Sequence, residues 1–461
     1  MTLLPEIYML SFSVLFLFLS LGKWGKSLFV LSRVLGLGAV AVSLLSLNAE
    51  GLFFAGAYQI HGFSQVFKLI LAIGLTLVLF MFTKEDEVEK MPEFFMFLGL
   101  STLGLSILVS SVELISILLS LEISSFSLYA IVPLRRTKTT AHLEAAIKYL
   151  FFGAISTGIM LYGMGYLYGM AHSTYLADIV AKMPSFSDKP LAILAVILTM
   201  SAFFFKLSLF PLHFWAPDIY EGASDTTTAF IATVPKVAGA ALLIRLTMLA
   251  GLPLAQLALL LMVLAAFSMT LGNLAGLVQT DLKRLVAYSG IAHAGYLMLG
   301  LLSFNKTGNA AVAYYITVYL IMNLALFYVM MLLSRNGENL KIADLAGLAR
   351  RAPLLAFTLA VAAFSLAGIP PTGGFTGKFF LFVTAFRAGH LPIVIIAAVN
   401  TVISVFYYLN LVRVSYSRDV TDVAPFTLSF SEKALCWLFS MAIILLGLLP
   451  LHVLEMFSQV M

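Results

Sequence analysis

Residues 364–382 read FSLAGIPPTGGFTGKFFLF. The stretch is apolar at both ends, is interrupted by Pro370-Pro371 and Gly373-Gly374, and carries one ionisable residue, Lys378. Proline removes a backbone donor and leaves a carbonyl unpaired one turn back. At membrane depth such a break persists only where it is buried in protein or lines a polar cavity. The rest of the chain has the character of a membrane protein. Of its 461 residues, 61% are apolar and 11% charged, where an ordinary soluble domain has roughly 25% charged residues. Apolar runs of about 20 residues, the length of a bilayer span, follow one another from end to end. A soluble enzyme, a nucleic-acid binder and a disordered scaffold are excluded. The expected fold is all-α and polytopic, with the lipid bilayer as its surroundings.

Fourteen spans are expected, beginning near Leu4, Lys26, Val66, Pro92, Val112, Ala141, Pro190, Thr226, Leu252, Lys283, Gly308, Pro353, Leu391 and Ser431. No Lys or Arg precedes the first run, and Pro5-Glu6 lie near its start, so it reads as a retained helix and not a cleaved signal. The connections are short. Basic residues set the orientation. Connections after odd-numbered spans hold Lys23, Lys26, Lys84, Lys90, Arg135, Arg136, Lys138, Lys283, Arg284, Arg335, Lys341, Arg350, Arg351, Arg413, Arg418 and Lys433; those after even-numbered spans hold Lys68, Lys182, Lys189, Lys306 and Arg387. The odd connections are expected to be cytoplasmic, which places both termini outside.

Six further basic residues fall inside spans: Arg33, Lys148, Lys206, Lys236, Arg245 and Lys378. Glu113, Glu122 and Glu144 join them. Facing lipid at the membrane centre, each would cost about 3 kcal/mol or more. Arg33 and Arg245 lie near span ends, where snorkelling is expected. Glu144 and Lys148 are four apart on one helix and can neutralise each other. Glu113 and Glu122 are nine apart on span 5, hence on opposite faces; mid-span Glu122 is the pathway candidate, and Glu113 reads as a contact to water or a neighbouring subunit. Lys206, Lys236 and His293 sit too deep to snorkel. Pro211 follows Lys206, Pro235 precedes Lys236, and Pro370-Pro371 precede Lys378. Repeated coincidence of ionisable residue and helix break favours a hydrated channel over static ion pairs.

Glu122 precedes Lys206 by 84 residues and His293 precedes Lys378 by 85. The Pro-interrupted spans 7 and 12 are five apart. The expected organisation is therefore helices 1–3 (residues 1–91), a first repeat of helices 4–8 (92–250), a second of helices 9–13 (252–416) and helix 14 (431–461). Five is odd, so the second repeat is inverted, the layout of secondary transporters with discontinuous helices.

Other chemistry is not supported. The single cysteine, Cys436, excludes an internal disulfide and a Cys-ligated metal centre. None of the seven histidines pairs with another at helical spacing. TGGFTGKF has Thr372 where a phosphate loop needs its first glycine and Phe379 where it needs Ser or Thr. Gly165 and Gly169 form a GxxxG pattern, read as close helix packing. No metal, nucleotide or other cofactor is expected on this chain.

The segments SLEISSFSLYA (120–130), FKLSLFPLHFWAPDIYEGA (205–223), ATVPKVAG (232–239), GNLAGLVQTDLKRLVAYSGIAHAGYLMLG (272–300) and LAGIPPTGGFTGKF (366–379) resemble the bacterial antiporter-like subunit N of proton-pumping NADH–quinone oxidoreductase, respiratory complex I. The resemblance covers essentially the whole chain and implies fourteen helices in two inverted repeats. It places the family's titratable residues on Glu122, Lys206, Lys236, His293 and Lys378. It further implies a bacterial inner membrane and partners in the membrane arm, including a second antiporter-like subunit. NADH, FMN, iron–sulfur clusters and quinone would belong to other subunits, and quinone reduction there would drive translocation here. Burial favours a neutral amine and a nearby carboxylate favours a charged one, so a file of both can pass protons: loading Lys236 or Lys206, passing His293, leaving by Lys378. The rival readings are a subunit of a multisubunit sodium–proton antiporter and a non-transporting scaffold of the membrane arm.

Overall fold

The computed structural model describes residues 1–22, 27–82, 88, 90–135, 140–186, 190–248, 254–334, 338–417 and 426–461. Lys23, Lys26, Lys84, Arg136, Lys138, Lys189, Arg335 and Arg418, used above for orientation, lie outside the described residues, as do the expected span starts at Lys26 and Leu252.

The described residues form α1 (Leu4–Leu19), α2 (Ser27–Leu45), α3 (Gly62–Met81), α4 (Met91–Leu108), α5 (Leu114–Ile131), α6 (Thr140–Ala171), α7 (Leu176–Lys182), α8 (Pro190–Leu207), α9 (Trp215–Gly222) and α10 (Asp225–Met248). They continue as α11 (Leu254–Leu277), α12 (Leu282–Leu301), α13 (Lys306–Leu333), α14 (Leu348–Arg351), α15 (Pro353–Ala367), α16 (Gly373–Arg387), α17 (Leu391–Ser415), α18 (Phe430–Leu448) and α19 (Pro450–Val460). Among the described residues, eleven helices are long and apolar enough to cross a membrane, and α1 and α15 are shorter apolar helices. The fourteenth expected crossing is α12, 20 residues long, which carries Lys283, Arg284 and His293.

Three details were not anticipated by the all-α expectation, of which only the first is not helical. A hairpin of β1 (Gly51–Phe53) and β2 (Tyr58–Ile60) precedes α3, because Gly56 and Ala55 take left-handed conformations that fold the chain back. The connections also hold the short helices α7 and α14. The last expected helix is two, α18 and α19, divided at Leu449 where Pro450 opens the second.

Packing repeats as the fold class requires. α4 lies on α5 as α11 lies on α12, and α6 runs along α8 and α9 as α13 runs along α15 and α16. α10 packs on α8 and α4 as α17 packs on α15 and α11. Five crossings per unit turn the second unit over relative to the first. At the centre lie α10 and α13, of which 94% and 83% of the apolar window is buried; these two hold the interior against which the ionisable side chains are placed.

Several charges thought to be loop or interface residues are built in. Arg245 does not snorkel: it is buried and donates to the Val109 carbonyl at 2.7 Å, past the C-terminus of α4. Arg33 donates to the Phe82 carbonyl at 3.0 Å, past the end of α3. In both cases an orphan carbonyl at a helix end recruits the guanidinium. Lys68, counted as a loop residue, lies inside α3, 2.6 Å from the Glu6 carboxylate. Glu113 is the N-cap of α5 and accepts from the Ser116 backbone N–H at 2.7 Å. The GxxxG reading also fails. A Cβ on Gly165 or Gly169 would meet nothing within 4 Å, whereas one on Gly163 would lie 2.4 Å from the Thr199 nitrogen of α8. The close approach of α6 is at Gly163, on the opposite side from the exposed pair.

Gly374 fixes the crossing of α15 and α16. A Cβ there would stand 1.8 Å from the Ser365 carbonyl oxygen, a backbone atom that cannot turn aside. Gly374→Ala is therefore expected to destabilise the chain by about 1–3 kcal/mol or more. The measurement is the thermal inactivation midpoint of the purified assembly; an unshifted midpoint would contradict the close packing.

Candidate functional site

The second broken span shows how sequence builds the site. Pro370 and Pro371 have no N–H, so the carbonyls four residues back, on Leu366 and Ala367, lose their helical donors. Lys378 replaces them. Its ammonium donates to the Leu366 oxygen at 2.9 Å and the Ala367 oxygen at 3.1 Å. The negative end of the α15 dipole favours the charge placed there. Gly368, at φ 87°, turns the chain away, and a Cβ on it would crowd the lysine stem at 3.1 Å. Both broken spans contain a cis X–Pro bond, Phe210–Pro211 and Pro370–Pro371.

From Lys378 a row of rings crosses the second repeat. Its Nζ lies 4.7 Å from the centre of the Tyr296 ring. Tyr296 is 6.0 Å from the His293 ring, and His293 is 5.4 Å from the Tyr319 ring. The Lys236 Nζ stands 5.6 Å from the centre of that last ring. His293 is held at both nitrogens, Nδ1 by the Tyr315 hydroxyl at 2.5 Å and Nε2 by the Tyr408 hydroxyl at 3.2 Å; Tyr408 is in turn hydrogen-bonded to Ser289. Gly290 makes room for the lysine: a Cβ there would lie 3.1 Å from the Lys236 Nζ and 3.0 Å from the Tyr319 hydroxyl.

The first repeat holds Lys206 and Glu122. The Lys206 ammonium donates to Ser125 Oγ at 3.1 Å and approaches Ser124 Oγ at 3.5 Å; Ser124 pairs with Ser101 at 3.0 Å. Glu122 is half-buried at the edge of the bundle, beside exposed Leu119, Ile123 and Phe126. The Thr157 hydroxyl of α6 donates to its Oε1 at 2.6 Å. Among the described residues no ion pair joins Glu122 to Lys206. α10 passes the end of α8 at Gly239, one turn beyond Lys236, where a Cβ would lie 3.9 Å from the Lys206 Cβ.

Lys206, Lys236, His293 and Lys378 are 4%, 2%, 2% and 3% exposed, so none faces lipid. Among the described residues no ion pair includes Lys206, Lys236 or Lys378. Static pairing therefore does not explain why the lysines are buried.

One expectation needs correction. Pro235 does not break its span: α10 runs unbroken from Asp225 to Met248. Its neighbours close around the defect, and only the Ile231 carbonyl loses a donor. The two break-associated lysines are also not equivalent. Lys206 comes two residues before the left-handed Ser208, while Lys378 comes ten residues after the left-handed Gly368. One stands on the half-helix entering the break and the other on the half-helix leaving it. The pair Glu144–Lys148 forms, at 2.6 Å, but not in isolation. Lys148 also meets Asp218 at 2.6 Å, and Arg284 bridges Asp218 at 3.0 Å and Glu221 at 2.7 Å. This is a partly exposed network at one end of the bundle.

Sequence reasoning missed the tyrosines and serines. Tyr315 and Tyr319 are one turn apart on α13, and Ser124-Ser125 stand two and three residues after Glu122. Polar residues recurring on one face of an otherwise apolar span were the available signal. The described residues contain no group of three or more His, Cys, Asp or Glu placed to hold a metal ion.

Buried amines and an imidazole, without carboxylate partners among the described residues, lie along two inverted repeats with broken helices, the architecture of an antiporter-like membrane protein. The sequence matches the family described as NADH:quinone oxidoreductase/Mrp antiporter, TM, over residues 111–404, and the chain belongs to that family. It is 42% identical to NADH-quinone oxidoreductase subunit N 2 of Opitutus terrae over 97% of this chain and 95% of that protein. A chain of respiratory complex I from Thermus thermophilus superimposes with a TM-score of 0.85 and 32% identity, covering 98% of each. A chain of the Mrp complex from Dietzia sp. superimposes at 0.87 with 18% identity, over 100% of this chain and 96% of that one, and shows the fold alone.

Proposed function

We propose that this chain is the proton-translocating, antiporter-like subunit N of a bacterial NADH–quinone oxidoreductase, and that Glu122, Lys206, Lys236, His293 and Lys378 carry the protons. The observation that carries this reading is the unbroken succession Lys236–Tyr319–His293–Tyr296–Lys378, with each centre within 6.0 Å of the next. Lysines without carboxylate partners can gain and lose protons without breaking a structural ion pair. The His293 imidazole, bonded at both nitrogens, can accept a proton at one and release it from the other. Lys206 brings charge from the Glu122 side to Lys236. Full-length identity to subunit N weighs against the sodium–proton antiporter, and a scaffold would have no use for amines held in the interior.

The chain itself carries no redox group in this reading. Quinone reduction in other subunits supplies the drive, passed along adjoining membrane-arm subunits, a second antiporter-like subunit among them. Half-buried Glu122, at the bundle edge, is placed to sense such a neighbour. The surplus of basic residues in odd connections puts both termini on the periplasmic side of the inner membrane. As a test, Glu122→Ala is expected to lower proton pumping and coupled turnover in a complex that still assembles. A wild-type proton-to-electron ratio in that variant would contradict the role given to this carboxylate.

A further inference from the structure

Two buried ion pairs among the described residues lie outside this file, Glu6–Lys68 and Asp225–Lys283. Asp225, at the start of α10, and Lys283, near the start of α12, are 7% and 1% exposed, with 2.6 Å between Oδ1 and Nζ. Lys283 also donates to the Ala223 carbonyl at 2.9 Å. Arg284, its neighbour in sequence, belongs to the partly exposed network with Asp218, Glu221 and Lys148. The pair therefore lies just beneath a charged mouth.

The mouth leads inward to Lys236. Asp225 and Lys236 are eleven residues apart on α10, three turns, which puts them on one face about 16 Å apart along the axis. Lys283 and Gly290 are seven apart on α12 and also share a face; Gly290 is the residue against which the Lys236 amine rests. α13 runs antiparallel beside them. Its Met331 meets Thr226 at the mouth, its Tyr319 meets Lys236 within, and its Asn323 comes between. Tyr220 enters the same space, 6.2 Å from the Phe327 ring. The Tyr220 hydroxyl, the Asn323 Oδ1, the Tyr319 hydroxyl and the Lys236 Nζ are all buried and have no hydrogen-bond partner among the described residues. Packing alone gives no reason to align three unmet oxygens between an ion pair and a lone amine.

We propose that the Asp225–Lys283 pair is the loading site that delivers protons from the charged mouth to Lys236, past Tyr220, Asn323 and Tyr319. The inference rests on the proton-translocating reading. A proton from the mouth adds to the Asp225 carboxylate and weakens its hold on the Lys283 ammonium. Lys283 releases one proton inward, which ends on the neutral Lys236 amine. Asp225 then passes its proton to Lys283 and the ion pair re-forms. One proton has left the mouth, one has reached Lys236, and the pair is unchanged.

The test uses the whole complex in proteoliposomes, reading proton uptake per electron transferred. Asp225→Asn and Lys283→Met are expected to lower the ratio to the value given by Lys236→Met, and Asp225→Glu to keep the wild-type ratio. The double variant Asp225→Asn with Lys283→Met leaves two neutral, compatible side chains and is expected to stay low. Recovery of the wild-type ratio in the double variant would make the pair purely structural and overturn the proposal. So would wild-type ratios in both single variants while Lys236→Met is low. A wild-type ratio in Lys236→Met would instead sink the proton-translocating reading on which the inference rests.

Discussion

Lys236→Met is expected to make the protein more stable and remove its share of the pumped protons. The two effects have one origin. The Lys236 residue is 2% exposed, and its amine has no hydrogen-bond partner among the described residues and lies over the face of Tyr319. A buried polar group without partners is a liability to folding. Replacing it by an apolar side chain of similar volume removes that cost, about 1–3 kcal/mol. Methionine matches the length of lysine and keeps the helix, so α10 should accept it. The thermal midpoint of the purified complex is then expected to rise or hold, while the proton-to-electron ratio in proteoliposomes falls. A residue that is best for stability when removed, yet is needed for activity, marks a functional site. A lowered midpoint with normal pumping would contradict this account.

At Lys378 the expected result has the opposite shape. This ammonium supplies the donors that Pro370 and Pro371 withhold from the Leu366 and Ala367 carbonyls. Lys378→Met leaves both oxygens buried and unmet, at about 1–3 kcal/mol each, so stability and pumping are both expected to fall. Lys378→Arg separates the two roles. Arginine can reach the same carbonyls but does not give up its proton. It is expected to restore most of the thermal midpoint and none of the pumping. Wild-type pumping in Lys378→Arg would remove this residue from the path and leave it a cap on a broken helix.

The contrast shows what the sequence could disclose. The broken spans were legible because proline and glycine act locally: Pro211 and Pro370-Pro371 interrupt the backbone wherever they stand in an apolar run. The mid-membrane lysines were legible because a charge at that depth needs a reason. Pro235 was misread because a single proline in a helix packed on every side removes one hydrogen bond without forcing the chain to turn. The partners of each charge were not legible. That Lys283 meets Asp225, that Lys68 meets Glu6 and that Arg245 meets the Val109 carbonyl depends on which helices pack together. Numbering alone placed Lys68 and Lys283 in loops. The tyrosines beside His293 were passed over for a related reason. Tyrosine is common in apolar spans, and its role appears only when α12, α13 and α17 bring Tyr296, Tyr315 and Tyr408 around one imidazole.

The equal spacing of Glu122–Lys206 and His293–Lys378 pointed to the repeat correctly but overstated its symmetry. The helices repeat their packing, while the lysines stand on opposite sides of their breaks. In the first repeat the amine rests on Ser124 and Ser125, and in the second it rests on bare carbonyls.

In the proposed pathway Lys206 joins the carboxylate side of the file to the histidine side, and the whole account depends on protons crossing it. The most direct measurement is the proton-to-electron ratio of the reconstituted complex carrying Lys206→Ala, alongside the wild type at equal electron flux. The account predicts a fall to the value that Lys236→Met gives, in a complex that retains all its subunits. An unchanged ratio would mean that protons do not travel along these side chains.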